Sequence, residues 1–200
     1  MPASGIRTPA RTPARPSART RLLDAAARLF YANGITNTGI DAVIAEAGVA
    51  KKSLYNNFAS KDDLIGHYIE ERHAEWLELF QMRADAAVTP QQRILAVFDA
   101  YVDHASMAYP HGFRGCGLLN AAAELPAGSA GREATAQHKA EVEGMLRTEL
   151  VRLTDAGDAA VLAEHLSFLL EGAMARAGLE ASPERLLHAR TLAERLIGAL

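Results

Sequence analysis

Apolar residues recur three and four positions apart along almost the whole chain from Arg19 onward, the period of one helix face. Leu22, Leu23, Ala26, Leu29 and Phe30 share such a face. The pattern predicts helices over about 19–33, 39–47, 51–58, 61–87, 90–108, 115–124, 130–154, 158–177 and 183–199. Alanine and leucine dominate, both good helix formers. No run of alternating β-branched residues lies between turn signals, so no strand is expected. The fold class is all-α.

Polar punctuation sharpens the boundaries. Thr38-Gly39-Ile40-Asp41 and Ser60-Lys61-Asp62-Asp63 read as capping boxes, in which a carboxylate reaches back to the cap amide. Thr89-Pro90 and Ser182-Pro183-Glu184 place proline at a first helical position, where its missing N–H costs nothing. Expected stops are Asn33-Gly34, Gly48, Pro110 to Gly112, Pro126 to Gly128, Gly157 and Gly178.

Composition narrows the class. The 200 residues are 49% hydrophobic with a single cysteine. A chain of this size can bury a core without staples, and one thiol excludes a disulfide framework or a multi-thiolate site. The longest stretch without Asp, Glu, Lys or Arg, between Arg28 and Asp41, is too short to span a bilayer. The first residues lack the apolar centre of a signal peptide. A soluble, cytoplasmic protein without membrane contact is the expectation.

Charge divides the chain. Residues 1–62 carry nine Lys/Arg against four acids, a net +5. The remainder carries twelve against twenty, a net −8. A basic end on an acidic body suits a polyanion partner for that end, or a solubilising tail on a neutral domain. Within residues 1–18, Arg7, Arg11 and Arg15 recur every four positions and continue to Arg19, while Pro9, Pro13 and Pro16 prevent a continuous helix. This reads as a disordered basic arm, either inert or laid along phosphates.

The stretch Ile40 to Phe58 carries the most chemistry. Ile40, Val43, Ile44 and Ala47 face inward on a two-turn helix, Gly48 ends it, and Val49 fills the angle. On the next helix Leu54 and Phe58 pack inward together. Lys51, Lys52, Ser53, Tyr55 and Asn56 are left outside: cations, hydroxyls and amides, the groups that hold phosphates and read base edges. A short helix, a glycine turn and a polar second helix make a helix-turn-helix.

At these residues the chain resembles the tetracycline-repressor (TetR) family of transcription regulators. The resemblance runs through Leu22-Leu23-Asp24-Ala25-Ala26, Leu29-Phe30, Asn33-Gly34 and Ile40 to Val49. It continues through Ser53 to Phe58 and Ser60-Lys61-Asp62-Asp63-Leu64. A further segment, Arg114 to Glu124, looks like one met in the C-terminal domains of many members. The chain departs from the family pattern at Ala50, where a Ser or Thr cap is usual, at Asn57, where His is common, and at Gly39.

The resemblance implies a helix-turn-helix domain over 19–64 and an effector-binding and dimerisation domain over 65–200. It implies a homodimer on a palindromic double-stranded DNA operator. Tyr55, Lys61 and Thr38 correspond to phosphate contacts, and Lys51, Lys52, Ser53 and Asn56 to base readers. Dimerisation is implied through the helices near 158–177 and 183–199, with Leu162, Leu166, Leu169, Leu170, Leu186, Leu187, Leu192, Leu196 and Ile197 as apolar residues. Gly172, Ala173 and Ala177 allow close approach there. The same residues equally suit the core of an intramolecular bundle. The implied effector is small and mainly apolar. Trp76, Phe80, Phe98, Tyr101, His104, Met107, Phe113, Cys116, Asn120 and Met145 are the residue types that a pocket, or a core, would use. The implied function is a ligand-responsive repressor.

Enzyme readings are weaker. Glu70-x-x-His73 occurs once, where di-iron bundles need two copies. Gly115-Cys116-Gly117 lacks the third glycine and the preceding strand of a dinucleotide loop. Nothing in their spacing brings His104, His111 and His138 to a metal. Cys116 reads as a buried thiol or a sensor. No catalytic residue, metal or cofactor is expected. A DNA-packaging protein without a sensor is the remaining rival.

Overall fold

The computed structural model describes residues 16–109 and 111–200; the first fifteen residues, and with them most of the basic arm, lie outside. The described residues form α1 (Ala18–Asn33), α2 (Ile40–Ala47), α3 (Lys51–Asn57), α4 (Lys61–Ala84) and α5 (Pro90–Ala105). Then come α6 (Gly117–Glu124), α7 (Ala130–Leu150), α8 (Ala156–Glu180) and α9 (Glu184–Ile197), with no strand among them.

Helices α1 to α3 form a small head. Leu22, Ala25, Ala26, Val43 and Leu54 are fully buried between them. Two arginines of α1 clasp the turn region: Arg21 donates to the Gly48 carbonyl at 3.2 Å, and Arg28 pairs with Glu46 at 3.0 Å. Helix α4 leaves the head and enters the body, where it packs on α5, α6 and α7. Helix α5 is the central element, contacting α4, α7, α8 and α9. Its Ile94, Phe98 and Ala100 are fully enclosed.

The helix ends follow their side-chain chemistry only in part; Pro183, expected as a first helical residue, is instead the cap before Glu184 opens α9. Ser60 accepts from Asp63 N–H, and the Asp63 carboxylate accepts from Ala59 rather than from the cap itself. Thr89 and Gln92 form a reciprocal capping box. Thr38 caps nothing: α2 begins after Gly39, and the Thr38 hydroxyl turns back to the carbonyls of Gly34 (2.7 Å) and Leu29 (3.2 Å). Gly157 is no stop; it sits in the first turn of α8, where Asp155 accepts its N–H. Gly178 is no stop either. Helix α8 runs through it to Glu180 because the chain at Arg114 and Gly115 lies against it, and a Cβ there would stand 2.5 Å from Gly115 N. Glycine serves here for close approach, not for a turn.

Candidate nucleic-acid interface and the cavity behind it

Helix α3 is held from below and left bare above. Leu54 and Phe58 are buried, and Arg19 lies over the Phe58 ring at 5.3 Å. Gly48 supplies the left-handed turn (φ 60°) that sets α3 across α2. Ala50 provides no side-chain cap, so the first amides of α3 are free to meet an anion. Lys51, Lys52 and Asn56 are exposed, and Tyr55 is 54% exposed. Ser53 is half-buried, and its carbonyl accepts from the Asn57 amide at 2.7 Å. Lys61 is half-buried at the first position of α4.

Two of the seven DNA-facing candidates are already engaged. Lys51 pairs with Asp41 at 3.0 Å, a hydrogen bond that raises its pKa and keeps it cationic. Both partners are exposed, so a phosphate can compete for the ammonium at little cost. Thr38 is only 3% exposed and spends its hydroxyl inside the head. Its side chain thus fixes the α1–α2 junction.

Behind the head lies a cavity of about 210 Å³. Of the ten nominated pocket residues, the structure brings Trp76, Tyr101, His104, Met107 and Cys116 to its wall. Phe98 and Phe113 are buried elsewhere in the core. Phe80 stacks on the far ring face of Trp76, with the planes 4° apart. Met145 is half-buried outside the cavity, and Asn120 donates to the Arg114 carbonyl at 3.0 Å. Sequence reasoning missed Ala27, Arg28 and Tyr31 of α1, Arg72 and Glu75 of α4, Tyr109, His138 and Met174. Arg72 stands four residues before Trp76 on one helix, a spacing that could have flagged a shared face.

The α1 residues make this cavity a joint between head and body. The Tyr31 hydroxyl donates to Gly115 O at 3.1 Å and accepts from Arg114 N–H at 2.6 Å. Burial pushes its pKa up to about 12, so it stays a neutral phenol. The Arg114 guanidinium donates to the carbonyls of Tyr31 and Ala32 at the end of α1. Glu124, at the end of α6, accepts the N–H groups of Ile35 and Thr36 at 3.2 and 2.8 Å. These contacts hold its pKa below the usual carboxylate value in spite of burial. Thus α6 and the loop before it grip the head at both ends.

Two histidines border the cavity as neutral rings. Burial lowers His104 to about 4 and His138 to about 3. His138 Nδ1 lies 2.9 Å from His73 Nδ1, a spacing that needs one shared proton. His111 is exposed and apart from them. Among the described residues no three metal-ligating side chains converge, and His67 rather than His73 bonds Glu70.

Helix α8 carries an outward stripe. Val161, His165, Phe168, Gly172, Ala175 and Leu179 are all exposed and follow one another at alternating spacings of four and three. That is the spacing a helix-pair seam uses, and the stripe holds no Asp, Glu, Lys or Arg. The leucines expected at an interface divide differently. Leu166, Leu170, Leu186 and Ile197 are intrachain core, as are Ala173 and Ala177. Leu162, Leu169 and Leu192 are half-buried, while Leu187 and Leu196 are exposed on either side of the buried face of α9. No helix among the described residues is long and apolar enough to cross a membrane.

Comparison with known proteins agrees with both halves. Residues 22–68 match the model for bacterial regulatory proteins of the tetR family, and residues 90–193 match a tetracyclin repressor-like C-terminal domain. The repressor KstR2 of Mycolicibacterium smegmatis is 31% identical over 91 residues, 44% of each chain. The activator FasR of the same organism is 35% identical over 112 residues, 54% of this chain and 50% of that one. The chain thus spans about half of the length of the curated relatives it matches. A TetR-family regulator from Streptomyces coelicolor superposes with TM-score 0.80 at 33% identity, over 90% of this chain and 95% of that one. A putative tetR regulator from Streptomyces avermitilis gives 0.71 at 34%, over 90% and 99%. Head, body and their order all correspond, and the chain belongs to the TetR family of bacterial transcription regulators.

Proposed function

We propose that this chain is a ligand-responsive repressor that binds a palindromic operator as a homodimer and lets go when a small, mainly apolar effector enters the cavity. The observation that carries this reading is the shared wall. Ala27, Arg28 and Tyr31 come from the head, whereas Trp76, Tyr101, His104 and Met174 come from the body. A ligand there touches both parts at once. It shifts the head only as far as its affinities for the two arrangements differ.

The remaining parts fit. Tyr55 and Lys61 offer phosphate contacts, and Lys51, Lys52, Ser53 and Asn56 are the base readers; Thr38, buried with its hydroxyl on the Gly34 and Leu29 carbonyls, supports the head from within. The unpartnered stripe of α8, flanked by Leu187 and Leu196, is the surface for a second copy. Two heads are needed because a dimer reads half-sites one helical turn apart, about 34–36 Å. The sign of regulation follows the repressor relative.

Selection of bound DNA from a random-sequence pool tests the reading. The expected result is an inverted repeat protected as one unit. Uniform binding without a repeat would favour a packaging protein instead.

A further inference from the structure

Among the described residues the cavity wall carries three charged side chains, Arg28, Arg72 and Glu75. Arg72 and Glu75 cancel each other at 2.8 Å. Arg28 differs, because its partner Glu46 lies off the wall, on α2. The wall therefore keeps one cation with no carboxylate of its own. The field at the His104 ring has the same sign. Burial lowers the pKa of that ring, and the Arg72 and Lys139 cations lower it further.

Arg28 is also within reach. Its side chain is 48% exposed and that of Glu46 43%, and an exposed ion pair resists a competing carboxylate only weakly. Glu46 takes Arg28 Nε and Nη2 through a single oxygen, at 3.1 and 3.0 Å. Among the described residues Nη1 meets no acceptor. A guanidinium can hold a carboxylate by two parallel hydrogen bonds, and this one is not used in that way. Met107 and Ala108 are exposed wall residues too, and with Arg28 they mark the side open to solvent.

The rest of the wall selects the body of the ligand. Rings and sulfur make it: Tyr31, Trp76, Tyr101 and Tyr109, with Met174 and Cys116. Leu118 is the one branched aliphatic side chain along it. Flat faces and thioethers favour an aromatic ring over an acyl chain. Size agrees, since a cavity of about 150 Å³ holds benzene and this one is about 210 Å³.

We infer that the cavity takes a small aromatic carboxylate, its ring among the wall tyrosines and Trp76 and its carboxylate on Arg28 in place of Glu46. This rests on the cavity being the effector site, and it adds the ligand class and the trigger. Glu46 stands two residues before the Gly48 turn. A ligand that takes Arg28 therefore unclasps α1 from the helix that positions α3.

Trp76 is the only tryptophan of the chain and lies on the wall, so its fluorescence reports occupancy. The full chain is titrated at neutral pH with benzoate, benzyl alcohol, benzylamine and cyclohexanecarboxylate. Benzoate should give a saturable change. Benzyl alcohol should bind at least tenfold more weakly, because a hydrogen bond between charged groups is lost, and the benzylammonium ion more weakly still. Cyclohexanecarboxylate should bind about two- to tenfold more weakly, the size of a ring-on-ring preference. Arg28→Met should bring benzoate and benzyl alcohol together. Glu46→Gln, which frees the guanidinium without removing it, should tighten benzoate alone and serves if the first variant does not fold. Benzyl alcohol or benzylamine equal to benzoate in the natural chain overturns the carboxylate assignment. Cyclohexanecarboxylate equal to benzoate overturns the ring. No saturable change with benzoate overturns the proposal and leaves the effector reading to other ligands. Benzoate that binds yet leaves the selected DNA in place upholds the ligand class and overturns the effector reading.

Discussion

Tyr31 and Arg114 hold each other twice: the Arg114 N–H donates to the Tyr31 hydroxyl, and the Arg114 guanidinium donates to the Tyr31 carbonyl. One residue ends the first helix of the head, and the other opens the loop before α6. Motion of that loop therefore moves α1. Tyr31→Phe should keep the ring in place but leave Arg114 N–H and Gly115 O without a partner. A loss of about 1–3 kcal/mol is expected in urea unfolding. Unchanged stability would mean that these groups find other partners and that the joint is loose.

Tyr55→Ala should weaken DNA binding without touching the fold. The ring is 54% exposed beside the buried Leu54, and exposed truncations of this kind shift stability by within about 0.5 kcal/mol. Circular dichroism and melting should match the natural chain, while binding to the selected DNA falls at physiological salt. Equal binding there sinks the phosphate role.

Phe168→Glu should yield a monomer. The side chain is 64% exposed at the centre of the α8 stripe, and two copies would bring like charges together across the seam. Light scattering on the purified protein should read half the mass of the natural form. A dimer that survives the substitution places the interface elsewhere.

Acid should destabilise the fold through His138. Its pKa falls from about 6.5 in the unfolded chain to about 3 in the folded one. The unfolded state then binds more protons between these values, so stability is complete above pH 6.5 and declines below it. At pH 5 this amounts to about 2 kcal/mol for the one ring. His138→Gln should show a smaller drop in melting temperature between pH 7 and pH 5 than the natural chain. An equal drop in both would assign the acid sensitivity to other groups.

The head was legible because its signals are local. A glycine turn, an inward Leu54–Phe58 pair and a polar outer face all lie within about twenty residues of chain. Thr38 was misread since a capping pattern is also local, yet its hydroxyl found the Leu29 and Gly34 carbonyls instead. The cavity was only half legible. Tyr31 lies on the same helix as Leu22, Leu23 and Phe30, and nothing in its spacing tells that it turns to Gly115, eighty-four residues on. The α8 stripe was obscured by leucines that pack inward; its own members include His165, Gly172 and Ala175, which carry little hydropathy.

Gly178 and Gly115 meet where side chains would have kept their backbones apart. One belongs to α8, the other to the loop that bonds Tyr31. A side chain at position 178 would meet the Arg114–Gly115 backbone at 2.5–2.7 Å, so the loop would have to give way and draw on its bonds to the end of α1. The register between α8 and the head is thus held by the thickness of two hydrogen atoms.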